Sequence, residues 1–255
     1  MATLLMSADI AITDPCVVFA LRRESMYFRR IFPFQQRFPG APCRAQFRGS
    51  ASGTVLMLET GLGADAMETA LRWCLNAPRF GEVPYRPRFV LSAGFSGSLQ
   101  SGQQVGDLIL ATEIVDRADQ RWPTRCPNEW TEEACSRGRL VSVPELVAEP
   151  SDKQHLGEQY DALAVDMETA VLARLCSQAG IPLVCLRVIS DDLNTPLSPH
   201  LVELLRRGRV SPLRLAWTVL RHPGSIGELF RLAGKTRLAA RRLVVLDSLL
   251  SALDR

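Results

Sequence analysis

The segment Val165-Asp166-Met167-Glu168-Thr169, with the helix it opens and the strand after it, constrains this chain more than any other stretch. Beyond Glu168 the apolar residues Val171, Leu172, Leu175, Cys176 and Ala179 recur at helical spacing, with Arg174, Ser177 and Gln178 on the other face. Gly180 supplies an αL cap, and Pro182 prevents the helix from resuming. Glu168 falls on the apolar side of the first turn, an unusual place for a carboxylate, which is rarely buried without a partner. The next run, Leu183 to Ile189, is apolar enough for a strand covered on both faces, and it ends in Ser190-Asp191-Asp192. Ligands of open α/β sheets sit beyond the carboxyl ends of strands, so Glu168 and Asp191 are expected to border one pocket. Taken singly, Glu168 reads equally well as an acid at a helix start and Asp191 as a turn residue. It is the pair, separated by one helix and one strand, that points to a site.

Val-Asp-Met-Glu at 165–168 followed by Arg187-Val188-Ile189-Ser190-Asp191 resembles the nucleoside phosphorylase superfamily, most closely its methylthioadenosine/adenosylhomocysteine nucleosidase branch. The resemblance extends over Pro15 to Asp192. Val-Asp-Met-Glu-Thr, Ser-Asp-Asp and an Arg/Leu-rich tail, in that order, also resemble the superfamily's hopanoid-associated phosphorylase-like proteins, which act on an adenosyl group carried by a polycyclic lipid.

The rest of the chain is consistent with one α/β domain. Its 255 residues can bury a full core, and 47% hydrophobic with 22% charged residues are globular values. No apolar run is long enough to span a bilayer, and the start of the chain, with Asp9 and Asp14, does not read as a signal peptide. The seven cysteines (Cys16, Cys43, Cys74, Cys126, Cys135, Cys176, Cys185) form an odd set without a CxxC, which fits a reducing cytoplasm. His155, His200 and His222 lack metal-ligand spacing, and no dinucleotide fingerprint is present, so neither a metal nor a cofactor is expected.

Residues 1–14 read as a loose leader. Cys16 to Leu21 is a buried strand, with Arg22-Arg23-Glu24-Ser25 opening a helix behind it. Cys43 to Arg48 and Val55 to Leu58 form a strand pair around a turn at Gly49 to Gly53. Glu59-Thr60-Gly61-Leu62-Gly63 leads into a helix, and such a turn can bring backbone N–H groups close to an anion or a ligand hydroxyl. Phe89-Val90-Leu91 is a third buried strand, followed by a glycine-rich turn, Ser92-Ala93-Gly94-Phe95-Ser96-Gly97-Ser98-Leu99, and by Val105-Gly106-Asp107 before a strand at Leu108 to Ala111. Residues 117–138 read as a surface excursion, Leu140 to Val143 as a strand, and Pro150 to Glu158 as a short helix.

These segments assemble into an α/β, three-layer sandwich around a mixed twisted central sheet, with residues 15–200 as the catalytic domain. Residues 201–255 form a helical extension that is strongly basic. Between Leu204 and Leu246 there are ten basic residues and a single acid, Glu228. Arginine interleaved with Leu213, Trp217, Leu220, Leu229, Phe230 and Leu232 suits contact of 204–246 with the inner membrane face better than nucleic-acid binding, while burial against the domain or a second subunit is the competing account.

By the resemblance, the reaction is cleavage of a ribosyl–purine bond through an oxocarbenium-like state. Asp191 would be the acid at purine N7 and Glu24 the base that activates water; as a plain helix-start glutamate, Glu24 would have no such role. Glu168 would bind the ribose hydroxyls and Met167 would pack on the sugar. Gly94, Phe95, Ser96 and Ser190 would line the nucleoside site. Leu146 and Val147 stand where the nucleosidases present an aromatic and a backbone amide to adenine. Asp166 is given no catalytic role. Hydrolysis to free adenine is favoured over phosphorolysis, because Ser92-Ala93-Gly94 lacks the phosphate-binding arginine of the bacterial phosphorylases; Arg22 and Arg23 keep phosphate in contention. A homodimer is expected from the family, and a non-catalytic nucleoside-binding protein is the alternative of another class.

Overall fold

The computed structural model describes residues 12–50, 53–76, 78–80, 83–128, 130, 135–194 and 225–253. The strands are β1 (Cys16–Phe19), β2 (Phe34–Arg37), β3 (Arg44–Ser50), β4 (Gly53–Glu59), β5 (Arg79–Phe80), β6 (Val83–Pro84), β7 (Val90–Ser98), β8 (Leu108–Asp116), β9 (Arg121–Pro123), β10 (Cys135–Ser142), β11 (Ala162–Asp166) and β12 (Leu183–Asp191). The helices are α1 (Phe28–Ile31), α2 (Ala64–Leu75), α3 (Pro150–Tyr160), α4 (Thr169–Ala179), α5 (Ser225–Arg242) and α6 (Leu246–Leu253).

Ten strands form one mixed sheet in the order β11-β10-β8-β12-β7-β1-β4-β3-β2, with β9 hydrogen-bonded to β8. Central β7 lies parallel to both β1 and β12. Near its end β7 also pairs antiparallel with β11, at Gly97 and Ser98. The strands β7, β12, β8, β10 and β11 therefore close on themselves, which covers the exposed edge of β11. This closure turns the ends of β7, β11 and β12 toward one another.

The apolar pattern accounts for the layers. On one face α2 and α4 bury Leu71, Cys74, Leu172 and Cys176 against Cys16, Leu56 and Cys185. On the other face Phe28, Phe32, Leu243, Leu246, Leu249, Leu250 and Leu253 cover Val17, Leu91, Leu108 and Val188. The last leucines of the basic tail thus belong to the same core as the sheet. Trp130, inside the expected surface excursion, is buried there too, and its indole N–H donates to Ser248 Oγ at 3.1 Å. Residues 201–224, with Leu213, Trp217 and Leu220, lie outside the described residues, as do residues 1–11 of the expected leader. Among the described residues no helix is long and apolar enough to cross a membrane.

Two local expectations are corrected. No turn follows Leu91: β7 runs on through Ser98, because small residues in an extended strand leave room for side chains crossing its surface. Behind β1 there is no continuous helix either, but a 3₁₀ turn at Glu24–Met26 and the single turn of α1. Glu24 and Ser25 are buried in that turn, and satisfying their polar groups fixes its shape. Gly180 caps α4 with φ 66°, as its position after the apolar stripe predicts.

If the C-terminal leucines are core, Leu246→Ala should destabilise the whole domain by about 2–5 kcal/mol, the usual cost of a buried Leu truncation. Urea unfolding followed by far-UV circular dichroism measures it. A change under ~0.5 kcal/mol would mean that α6 is dispensable packing.

Candidate active site

The site begins with a buried cation. Arg187 sits mid-strand in β12 and is only 4% exposed. Its Nε and NH2 donate to Asp166 Oδ2 at 3.1 and 2.8 Å, and NH2 also donates to Ser92 Oγ at 2.8 Å. The Thr169 hydroxyl lies against both Arg187 and Asp166. One side chain therefore ties β12 to β7, to the end of β11 and to the start of α4. Asp166 Oδ1 in turn accepts the Thr169 N–H at 3.3 Å, so it does the work of a cap as well.

Around this pair lies a tight cavity of about 10 Å³, lined by Glu24, Met67, Gly94, Phe95, Asp166, Glu168 and Arg187. Glu24 reaches it from the 3₁₀ turn. The Leu21 N–H donates to its Oε2 at 2.7 Å and the Phe95 N–H to its Oε1 at 2.9 Å. Gly94 permits this approach, since a Cβ there would lie 2.7 Å from Oε1. Burial pushes the Glu24 carboxyl up from its ordinary value, while the two backbone N–H groups and Arg187 pull it back.

Glu168 stands immediately before α4. Its Oε1 accepts the Gly63 N–H at 3.0 Å, so the glycine turn ahead of α2 is filled by a protein carboxylate. Burial, and then the Asp166 carboxylate, push Glu168 up to about 7. A carboxylate that changes charge near neutrality suits a group that holds ribose hydroxyls, as acceptor or as donor.

Asp191 and Ser190 do not line this cavity. The register between β12 and β7 shifts between Ile189 and Asp191, and Asp191 packs over Gly97, where a Cβ would lie 3.0 Å from Oδ2. Ser190 Oγ lies 2.8 Å from Asp191 Oδ1 and 3.2 Å from the Ser96 carbonyl oxygen. Ser96 itself is buried, with no hydrogen-bond partner on its Oγ. Lys153 of α3, completely buried, lies 2.6 Å from Asp191 Oδ2. Leu146 and Val147 border a different, open hollow with Arg117, Glu145, Asp152 and His155. Met167 is half-buried outside the cavity, and Met67 of α2 lines it instead. Arg22 and Arg23 are exposed; Arg22 Nε lies 3.8 Å from Glu59 Oε2, a carboxylate also met by Arg29 and Arg44. Among the described residues no group of three or more His, Cys, Asp or Glu is arranged to hold a metal.

The sequence pattern of the phosphorylase superfamily matches residues 32–220. The chain belongs to that superfamily. Within it, the chain is 26% identical over 202 residues to the 5′-methylthioadenosine/S-adenosylhomocysteine nucleosidase of Buchnera aphidicola, covering 69% of this chain and 84% of the relative. Among solved structures, the nucleosidase of the same name from Helicobacter pylori superposes with a TM-score of 0.67 at 18% identity, over 96% of this chain and 99% of that one. Futalosine hydrolase from Helicobacter pylori does so with a TM-score of 0.62 at 18% identity, over 95% and 98%. These likenesses confirm the superfamily's mixed α/β fold for this chain.

Three charged residues in or near this site receive no role in the sequence reading: Arg187, Asp166 and Lys153. Arg187 was signalled, as a lone cation inside an otherwise apolar strand. Asp166, its partner, reads as a residue leading into a helix, and its Oδ1 does accept the Thr169 N–H at the start of α4. Lys153 carried no signal, sitting between Asp152 and Gln154 on a helix of polar appearance.

The raised Glu168 carboxyl has a stability consequence. The native state binds this proton over a range where the unfolded chain, with an ordinary carboxyl near 4.5, has lost it. The contribution is therefore fully present below about pH 4.5 and lost as pH rises through about 7. Wild-type stability should fall across that window relative to Glu168→Gln, which has no proton to lose. Equal slopes for the two proteins in urea titrations from pH 4.5 to 7.5 would contradict the assignment.

Proposed function

We propose that this chain is a purine nucleosidase that hydrolyses the N-glycosidic bond of a 5′-modified adenosine and releases free adenine. The observation that carries the reading is the pairing of Glu24 with Glu168 in one cavity, the first held open over Gly94 by two backbone N–H groups. Cleavage needs a base for water, a carboxylate for the ribose hydroxyls and an acid for the leaving purine. In this reading Glu24 takes the proton of the attacking water and Glu168 holds the ribose hydroxyls. Met167 flanks the sugar, Gly94, Phe95, Ser96 and Ser190 surround the nucleoside, and Asp191 protonates N7. Leu146 and Val147 face the base once the nucleoside bridges to their hollow.

Water is favoured over phosphate on electrostatic grounds. A phosphate dianion beside Glu24, Asp166 and Glu168 would meet three carboxylates and only one cation, Arg187. Arg22 and Arg23, the candidates for phosphate, point elsewhere or lie exposed outside the cavity. Support for the 5′-modified adenosine comes from the Buchnera relative, whose name gives methylthioadenosine and adenosylhomocysteine. An adenosyl-lipid remains within the same reading. Exposed Arg237, Leu238, Arg241 and Val244 offer a basic, partly apolar surface suited to a transient contact with an anionic membrane. A homodimer is part of the proposal as well.

Incubation with a panel of 5′-substituted adenosines, with and without phosphate, tests the reaction. Free adenine at equal rates in both is expected; strict dependence on phosphate with ribose 1-phosphate as product would make the chain a phosphorylase, and binding without turnover would make it a nucleoside-binding protein. Glu24→Gln should lower kcat by about 10²–10⁴-fold, the usual share of general-base catalysis, with little change in nucleoside affinity. Flotation with anionic vesicles at low and high salt tests the membrane contact, which predicts association at low salt alone.

A further inference from the structure

Lys153 is 0% exposed, and both hydrogen bonds of its ammonium group go to the end of β12 and the residue after it: Nζ donates to Asp191 Oδ2 at 2.6 Å and to the Asp192 carbonyl oxygen at 2.9 Å. Lysine is almost never buried to this extent unless it is paired. The neighbouring groups complete the arrangement. Ser190 Oγ lies 2.8 Å from Asp191 Oδ1, and Gly97 beneath has no Cβ to hold the carboxylate away. Lys235 of α5 reaches Asp192 Oδ2 at 2.8 Å, a separate contact on the next residue. Asp191 is thus held at both oxygens, and one holder is an ammonium group.

That pairing creates a chemical difficulty. A carboxylate paired with an ammonium group has no proton of its own to give. The departing purine needs one at N7. The proton is nonetheless present, one hydrogen bond further back, on the lysine.

We propose that Lys153 is a positioning residue that stores the proton Asp191 delivers to the purine, so that leaving-group protonation in this chain is a lysine–aspartate relay. The inference rests on the nucleosidase reading. As the C1′–N9 bond breaks, its electron pair passes into the purine, and N7 takes a proton from the Asp191 carboxyl. Asp191 has received that proton from the Lys153 ammonium, which becomes a neutral amine. On the other side of the sugar, water forms the new C1′–O bond and gives a proton to Glu24. Solvent then takes the Glu24 proton and returns one to Lys153. The balance is one nucleoside and one water in, one adenine and one 5′-modified ribose out.

Two leaving groups separate a relay from a structural anchor. Nitrophenolate departs without being protonated, whereas adenine does not; both can be carried on a ribose with the same 5′ substituent. Lys153→Met removes the ammonium. Lys153→Arg keeps the charge and the ion pair, but its guanidinium does not give up a proton. Both variants should release adenine about 10²–10⁴-fold more slowly than wild type, mainly in kcat, while nitrophenolate release stays within a few-fold. Adding Lys153→Met to Asp191→Asn should cost adenine release nothing further, since the two act as one unit. The ratio of the two rates within one variant does not depend on how much of the protein is folded. Lys153→Arg with near-wild-type adenine release would overturn the relay and leave only charge. An equal fall on both substrates, or no fall on either, would also overturn it. Wild-type protein that releases neither leaving group would end the nucleosidase reading and the relay with it, whereas wild-type turnover with unchanged Lys153 variants would end the relay alone.

Discussion

The rest of the structure depends on the ion pair between Arg187 and Asp166. Both side chains are nearly inaccessible, and two isolated charges so placed would cost several kcal/mol each in lost hydration. They are tolerable because the guanidinium also reaches Ser92 and Thr169, so that three strands and a helix start meet on one cation. Breaking such a pair from one side usually costs about 3–5 kcal/mol, because the remaining charge is left unpaired. Fold and site share this fastening. The residues that bring β7, β11, β12 and α4 together are also those that form the wall of the cavity.

A second consequence is electrostatic. Glu24, Asp166 and Glu168 crowd one small volume, and only Arg187 balances them from within it. The remaining compensation comes from backbone N–H groups: Leu21 and Phe95 for Glu24, and Gly63 for Glu168. Backbone donors cost no side-chain entropy and stay fixed as the charge on their acceptor changes. Burial raises both carboxyls from their ordinary values against these donors, Glu168 to about 7, a property that the proposed water-activating and hydroxyl-binding roles call for. Glycine is needed at 94 for a related reason, since any side chain would push Glu24 off its donors.

Much of this was legible in the sequence. The apolar stripe of α4, the Gly180 cap and the continuous run of β12 follow from periodicity and capping rules. The motif at 165–168 and the Asp191 strand end led to the correct superfamily and fold. What stayed hidden depends on closure in three dimensions. The pairing of β11 with the end of β7 joins residues far apart in the chain, and no local pattern announces it. Small residues at 92–98 looked like a turn because Gly and Ser favour turns; they serve instead to thin an extended strand where Glu24 and Asp191 cross it. Lys153 gave no sign because its helix shows a polar surface pattern, and only the fold directs that one side chain inward. The C-terminal leucines were visible as a stripe, but whether a stripe faces lipid, a partner or its own domain is decided by what lies opposite; for Leu243 to Leu253 that is Phe28, Phe32 and the sheet.

The most direct measurement is a crystal structure with a non-hydrolysable 5′-substituted adenosine analogue. The account predicts that the two ribose hydroxyls lie within hydrogen-bond distance of Glu168, that a water is held by Glu24 on the face of the sugar opposite the purine, and that N7 faces Asp191 with Lys153 still behind it. A ligand seated wholly in the open hollow of Arg117, Glu145 and His155, with its ribose away from Glu24 and Glu168, would contradict it.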